Sequence, residues 1–296
     1  MTQDSSSAST RPQAKPPHPR VIINVGCKNN SIEEVARGLR LASSPDAYRD
    51  LVRRALFTAV YHGSAPVTEY LITQENAPLH TLSPLTVATS PSTELFSVLV
   101  SHGWDINQRR ADHGAGRGQR LLDLICSDEA LVRWCLEHGA SVEDDPDADW
   151  YTAPPLLETA AAVGTLSTFK LLRERGAQLG RRTLHKAVSG AAHSKDSMEI
   201  VKYLVDELGM DVNQMDTDGK LPDHWGPPLC YAAKWRDGGE EVVRFLLERG
   251  ADPTIKDCCG NHDAFSLAEF TKNEGVMKVL REWREQREQK EQKQGG

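Results

Sequence analysis

Two short phrases recur in fixed order along most of this chain, and they constrain its fold more than any other feature. One runs through apolar residues and stops at Gly or Asn. It appears as Tyr70-Leu-Ile-Thr-Gln-Glu-Asn76, Val98-Leu-Val-Ser-His-Gly103, Trp134-Cys-Leu-Glu-His-Gly139, Lys170-Leu-Leu-Arg-Glu-Arg-Gly176, Tyr203-Leu-Val-Asp-Glu-Leu-Gly209 and Phe245-Leu-Leu-Glu-Arg-Gly250. The other is a Leu followed three residues later by a small or apolar residue. Its copies are Leu56/Ala59, Leu85/Ala88, Leu122/Ile125, Leu157/Ala160, Leu184/Ala187, Leu229/Ala232 and a degenerate Phe265/Ala268. The first members of these pairs are 29, 37, 35, 27, 45 and 36 residues apart, a mean near 35. A period of that size specifies a stack of similar two-helix units, each burying its apolar stripe against its neighbours.

The recurrent residues have physical reasons. A helix that ends in a left-handed turn needs Gly at that turn, or Asn at some cost, and Asn76 is the substitution this permits. The Ala positions fall where paired helices cross closely and a larger side chain would push them apart.

The paired phrases resemble the ankyrin-repeat family over roughly residues 46–283. Pro84-Leu85-Thr86, Thr183-Leu184-His185 and Pro228-Leu229 come nearest the family's Thr-Pro-Leu-His motif, while the third and seventh copies depart from it. The resemblance implies an all-α ankyrin-repeat solenoid of about seven helix-turn-helix repeats with short hairpin fingers. It implies a structural role for His185, hydrogen-bonded to backbone. It also implies a non-catalytic protein–protein interaction module, acting as adaptor, scaffold or regulatory subunit through its fingers and concave groove.

Residues 1–20 are rich in Ser and Pro and are expected to be a disordered arm. A capping segment is expected over 21–45, the repeats over 46–283 and a charged extension over 284–296. Within the cap, Val21–Val25 reads either as a strand or as a segment packed on the first helix. Ser31-Ile-Glu-Glu34 has capping-box spacing and opens a helix through about Ala42, and Ser44-Pro45-Asp46 starts another running to His62. The last repeat continues through Val276, Val279, Leu280 and Trp283 on one helical face. Beyond it the residues lack the a and d apolar positions of a coiled coil, so a solvated helix is expected.

The intervals between helix-ending residue and next motif are 9, 19, 18, 8, 20 and 15 residues, so three fingers are long. The first is Gly-rich and basic, with Arg109, Arg110, Arg117 and Arg120. The second is acidic, with Asp144, Asp145 and Asp147, and carries Trp150 and Tyr151. The third, Asp216 to Trp225, places a Trp among polar residues. Trp and Tyr anchor interfaces, so Trp150, Tyr151, Trp225, Arg109, Arg110, Asp144 and Asp145 are the candidate partner-binding residues. The alternative is that each ring folds back onto its own repeat.

Other chemistry is weakly signalled. Gly114-Ala-Gly-Arg-Gly118 lacks the Gly-Lys-Ser/Thr ending of a phosphate loop. A calcium loop centred on Gly219 would need carboxylates at Gln214 and Trp225. Cys258, Cys259 and His262 lack a second ligand pair at structural-zinc spacing. Cys126, Cys135 and Cys230 read as small core residues. His102 and His138 precede helix-ending glycines, where a cation suits the helix dipole. No catalytic residue, cofactor or metal is expected. The rival reading is an enzyme or small-ligand binder using a pocket beside the long fingers, with His113, His224, Asp223 and Trp225.

Lys and Arg number 35 against 42 Asp and Glu, a net charge of -7, which argues against a dedicated nucleic-acid binder. No run approaches 18 apolar residues, the N-terminus has no signal-like apolar segment, and six cysteines are too few for a disulfide framework. These features lead to the expectation of an intracellular protein, cytoplasmic or nuclear, whose partner is another protein and not a membrane.

Overall fold

The computed structural model describes residues 17–109, 118–144, 154–217 and 224–294. The candidate residues Arg110, Asp145, Trp150 and Tyr151, and most of the 1–20 arm, lie outside them. The described residues are helices and turns without a strand, an all-α fold built from helix pairs. Two compact units are present: one holds Met1–Leu82 and Thr89–Trp104, the other Ser83–Ala88 and Asp105–Gly296.

The helices in chain order are α1 (Pro19–Lys28), α2 (Ile32–Leu39), α3 (Pro45–Tyr61), α4 (Ala65–Glu75), α5 (Pro84–Val87), α6 (Thr93–Ser101), α7 (Leu121–Leu124), α8 (Glu129–Glu137), α9 (Leu156–Val163), α10 (Leu166–Glu174), α11 (Thr183–Ala191), α12 (Lys195–Lys202), α13 (Pro228–Ala233), α14 (Glu240–Glu248), α15 (Ala264–Thr271) and α16 (Glu274–Gln294). Residues 21–25, ambiguous in the sequence, lie in α1, where Ile22, Ile23 and Cys27 are buried and Pro19 stands in the first turn. Ser31 caps α2 by accepting from the Glu34 N–H, and Ser44 caps α3 by accepting from the Ala47 N–H.

In the second unit, α7, α9, α11, α13 and α15 are the first helices of successive pairs. Their motif residues Leu122, Leu157, Leu184 and Leu229 are buried, as are Ala160, Ala187, Ala232 and Ala268 where the helices meet. Leu85 departs from this pattern and is 43% exposed. Its helix α5 has only four residues, capped by Ser83, and buries Pro84, Thr86 and Val87 instead.

The helix-ending residues take the left-handed backbone, with φ of 89° at Gly103, 92° at Gly139, 102° at Gly176, 88° at Gly250 and 50° at Asn76. The next residue's N–H then returns to a carbonyl of the last turn, as Trp104 to Leu99, Ala177 to Leu172 and Ala251 to Leu246. His102 and His138 each donate Nδ1–H to the carbonyl four residues back, at 2.8 Å, supplying one more of the donors that a helix end lacks. The repeat ending at Gly209 has one residue more than that ending at Gly250, and a π turn over Tyr203–Glu207 absorbs it.

Adjacent loops of the second unit are stitched by Asn residues. Asn107 donates Nδ2–H to the Gly139 carbonyl at 3.0 Å and accepts from the Ser141 N–H at 2.8 Å. Asn213 repeats both bonds with Gly250 and Asp252 at 3.0 and 2.8 Å. The C-terminal helix α16 carries the charged extension as continuous helix, with an Arg287–Glu291 ion pair at 3.2 Å.

Candidate functional site

Within the second unit, polar contacts tie the described residues at the two ends of the third long finger to α13 and to the chain around α11. From α11, His185 donates Nε2–H to the Gln214 carbonyl at 2.9 Å, and from the turn before that helix Arg181 donates Nε–H to the Met215 carbonyl at 3.1 Å. The backbone bond expected of His185 is therefore present. Burial holds its imidazole down at about 4, so the ring is neutral near pH 7. Asp216, at the start of the finger, accepts from the Trp225 N–H at 3.1 Å and the Tyr231 hydroxyl at 2.6 Å. His224 Nδ1 lies 3.1 Å from the same carboxylate oxygen. Burial, reinforced by the Asp216 bond, raises the Tyr231 phenol.

This scaffold presents a group of cations beside aromatic rings. Arg182 immediately precedes α11, Lys186 lies one turn further on in that helix, and Lys234 follows the end of α13. The Lys234 ammonium stands 4.7, 5.1 and 5.8 Å from the ring centroids of Tyr231, Trp235 and Trp225. Those are cation–π distances, and they fix the position of a side chain that would otherwise be mobile. Burial, with Lys186 and Arg182 nearby, lowers the Lys234 amine to about 8. Burial and Arg182 lower that of Lys186 as well. The neighbouring carboxylates are already engaged: Glu158 accepts from the Arg182 N–H at 2.9 Å, and Asp216 is committed to the finger.

Large apolar side chains are exposed along the ends of the first helices. Val163 ends α9 and is 57% exposed, Trp235 follows α13 at 36%, and Phe270 lies in the last turn of α15 at 75%. The helix ends are side by side: Thr271 Oγ1 donates to the Ala233 carbonyl at 3.3 Å, Asn273 Nδ2 donates to that of Trp235 at 3.1 Å, and the His193 and Trp235 rings are 5.3 Å apart.

Of the residues singled out from the sequence, Trp225 sits at this site, half-buried, with its ring facing Lys234. Arg109 is half-buried and reaches the Gly118 carbonyl at 3.4 Å. Asp144 accepts from the Leu156 N–H at 2.9 Å and lies 3.8 Å from Arg120. Arg120, grouped with the charges on the first finger, is buried instead. It forks onto Asp123 at 3.2 and 3.3 Å and donates to the carbonyls of Ser141 and Glu143 at 3.1 and 2.7 Å. His113 and Asp223 of the rival reading lie outside the described residues, and His224 is buried against Asp216.

Lys186, Lys234 and Trp235 were not singled out from the sequence. They stand two, five and six residues after a motif Leu, on the turns of the first helices that leave the core, and that offset was the available signal. Among the described residues, no group of three or more His, Cys, Asp and Glu could hold a metal. Cys258 instead donates to the His224 carbonyl at 3.1 Å, and Asp257 accepts the backbone N–H groups of Cys259, Asn261 and His262. Cys126, Cys135 and Cys230 are buried in or beside repeat helices, and burial raises all three thiols. No described helix is long and apolar enough to cross a membrane.

A family model described as ankyrin repeats (3 copies) matches residues 156–257, the stretch holding α9 to α14. A putative ankyrin repeat protein of Rickettsia bellii (strain RML369-C) is 26% identical over 133 residues, 43% of this chain and 66% of that protein. The human ASB11 ankyrin repeat domain aligns with 88% of this chain and 96% of its own length, at 17% identity and a TM-score of 0.47. The ankyrin repeat domain of Bcl-3, a member of the IkappaB protein family, aligns with 88% of this chain and 97% of its own, at 22% identity and a TM-score of 0.39.

Proposed function

We propose that this chain, whose residues 156–257 match a family model of ankyrin repeats, is an ankyrin-repeat protein that binds another protein non-covalently as an adaptor, scaffold or regulatory subunit. Ankyrin repeats are a general protein–protein interaction module. The observation that carries the reading is the row of exposed Val163, Trp235 and Phe270 on adjoining helix ends. Apolar side chains gathered on one edge, with polar groups around them, are what a partner surface would cover. Trp225 extends that edge, and Trp150 and Tyr151 of the second finger are further partner-contacting residues in this proposal. The role is binding without catalysis. Buried, unreactive thiols in the repeat helices suit an intracellular setting, cytoplasmic or nuclear.

The test is affinity purification of the tagged chain, with the recovered partner then titrated against Trp225→Ala, Trp235→Ala and a deletion of residues 1–16. An anchoring ring is worth about 2 kcal/mol or more, so at least one tryptophan variant should bind about thirtyfold more weakly with an unchanged melting temperature. Loss of binding only in the deletion would overturn this placement and move the site to the N-terminal arm.

A further inference from the structure

The proposed interaction surface has a charge character that points to the chemistry of its partner. Lys186 on α11 and Lys234, just past the end of α13, form no ion pair among the described residues, although the chain as a whole carries seven excess negative charges. Each is held within a cationic neighbourhood that includes Arg182. Among the described residues, the carboxylates acting on them, Glu158 and Asp216, are buried and already accept hydrogen bonds from the Arg182 N–H and from Trp225 and Tyr231. Glu158 and Asp216 therefore attract the ammoniums from a distance without pairing with either. The rings of Tyr231, Trp235 and Trp225 stand 4.7, 5.1 and 5.8 Å from the Lys234 ammonium and hold it in place. The Lys234 ammonium held among its rings, with that of Lys186 acting on it and Trp235 exposed beside it, is complementary to carboxylates flanked by apolar groups.

We propose that this face of α11 and α13 binds an acidic segment of the partner protein, its carboxylates pairing with Lys186 and Lys234 while an adjoining apolar side chain packs on Trp235. This rests on the interaction reading above and adds the partner's chemistry to it. A negative charge seated between the lysines relieves their mutual repulsion, so both ammoniums contribute more when the anion is bound than when the face is empty.

The probe is a fluorescein-labelled ten-residue peptide of alternating Glu and Asp with one central Leu, titrated with the full chain by fluorescence anisotropy. Lys186→Gln and Lys234→Gln should each weaken binding about threefold to tenfold, and the double variant about tenfold to fiftyfold, with melting temperatures unchanged. Lys278→Ala, an exposed lysine on α16, should leave it unchanged. Raising salt from 50 to 200 mM should weaken the wild type more than the double variant. Failure of the wild type to bind, an equal loss in Lys278→Ala, or tighter binding of a ten-nucleotide oligothymidine than of the peptide would each overturn the proposal. The recovered partner separates the two ideas. If Trp235→Ala loses that partner while the double lysine variant keeps it, the interaction surface stands and the acidic assignment is wrong. If both variants keep it, the surface is wrong as well.

Discussion

Removing Arg120 should damage this protein far more than removing any exposed arginine. Its side chain is 5% exposed and Asp123 is 4% exposed, so the pair is desolvated. The guanidinium also satisfies two carbonyls from the following loop, and Asp123 accepts the Arg120 N–H at 2.7 Å, which closes the first turn of α7. Arg120→Ala strips the compensating charge from a buried carboxylate and leaves the Ser141 and Glu143 carbonyls without that donor. Breaking one side of such a pair costs about 3–5 kcal/mol. At an m-value of about 2–3 kcal/mol/M, the urea midpoint followed by circular dichroism should fall by about 1–2.5 M. Arg120→Lys keeps the charge but not the planar fork, and should fall between wild type and Arg120→Ala. The double variant Arg120→Ala/Asp123→Ala should be less destabilised than the sum of the single changes, because no charge is then left unpaired. Arg49→Ala, at a side chain 76% exposed, is the comparison, expected within about 0.5 kcal/mol. Equal midpoints for Arg49→Ala and Arg120→Ala would refute the buried-fork account.

Three further outcomes follow from particular residues. Gly176→Val should destabilise by about 1–3 kcal/mol, because φ is 102° there and no atom within 4 Å of the new Cβ adds a contact, whereas Asn76→Val should cost less; equal urea midpoint shifts would contradict this. Leu157→Ala, fully buried, should cost about 2–5 kcal/mol, and Leu85→Ala less than about 1 kcal/mol, as melts of the two variants would reveal. His185 is held near 4 by burial against an unfolded value of 6.5, so the unfolded chain takes up a proton that the folded chain refuses. The His185 contribution is complete above pH 6.5 and is lost as pH falls toward 4, by about 3 kcal/mol in all. Urea midpoints of His185→Gln should therefore depend less on pH across that window than those of the wild type, and an identical dependence would count against a buried neutral imidazole.

The parts of this fold legible in the sequence are those set by local backbone geometry. Gly103, Gly139, Gly176 and Gly250 announce left-handed helix ends because few other residues tolerate that backbone, and the spacing of Leu184 from Ala187 announces a helix face. Residues whose surroundings come from distant chain were not legible. Arg120 stands in a Gly-rich basic stretch and reads as a surface charge, yet the carbonyls that bury it lie 21 and 23 residues away. Leu85 matches the motif, but a four-residue helix turns it outward. Trp225 was visible as a ring in polar company. Its partner Lys234 was not, because cation and ring meet only once Asp216 has joined the Trp225 N–H to Tyr231 of α13.

Hydrogen–deuterium exchange of the chain, alone and saturated with its recovered partner, tests the central claim most directly, since it maps what the partner covers without any substitution. The account predicts slowed exchange in α11, in α13 and in residues 224–226, with α12 and α14 on the other side of each pair unchanged. Protection confined to α12 and α14, or to residues 1–16, would contradict it.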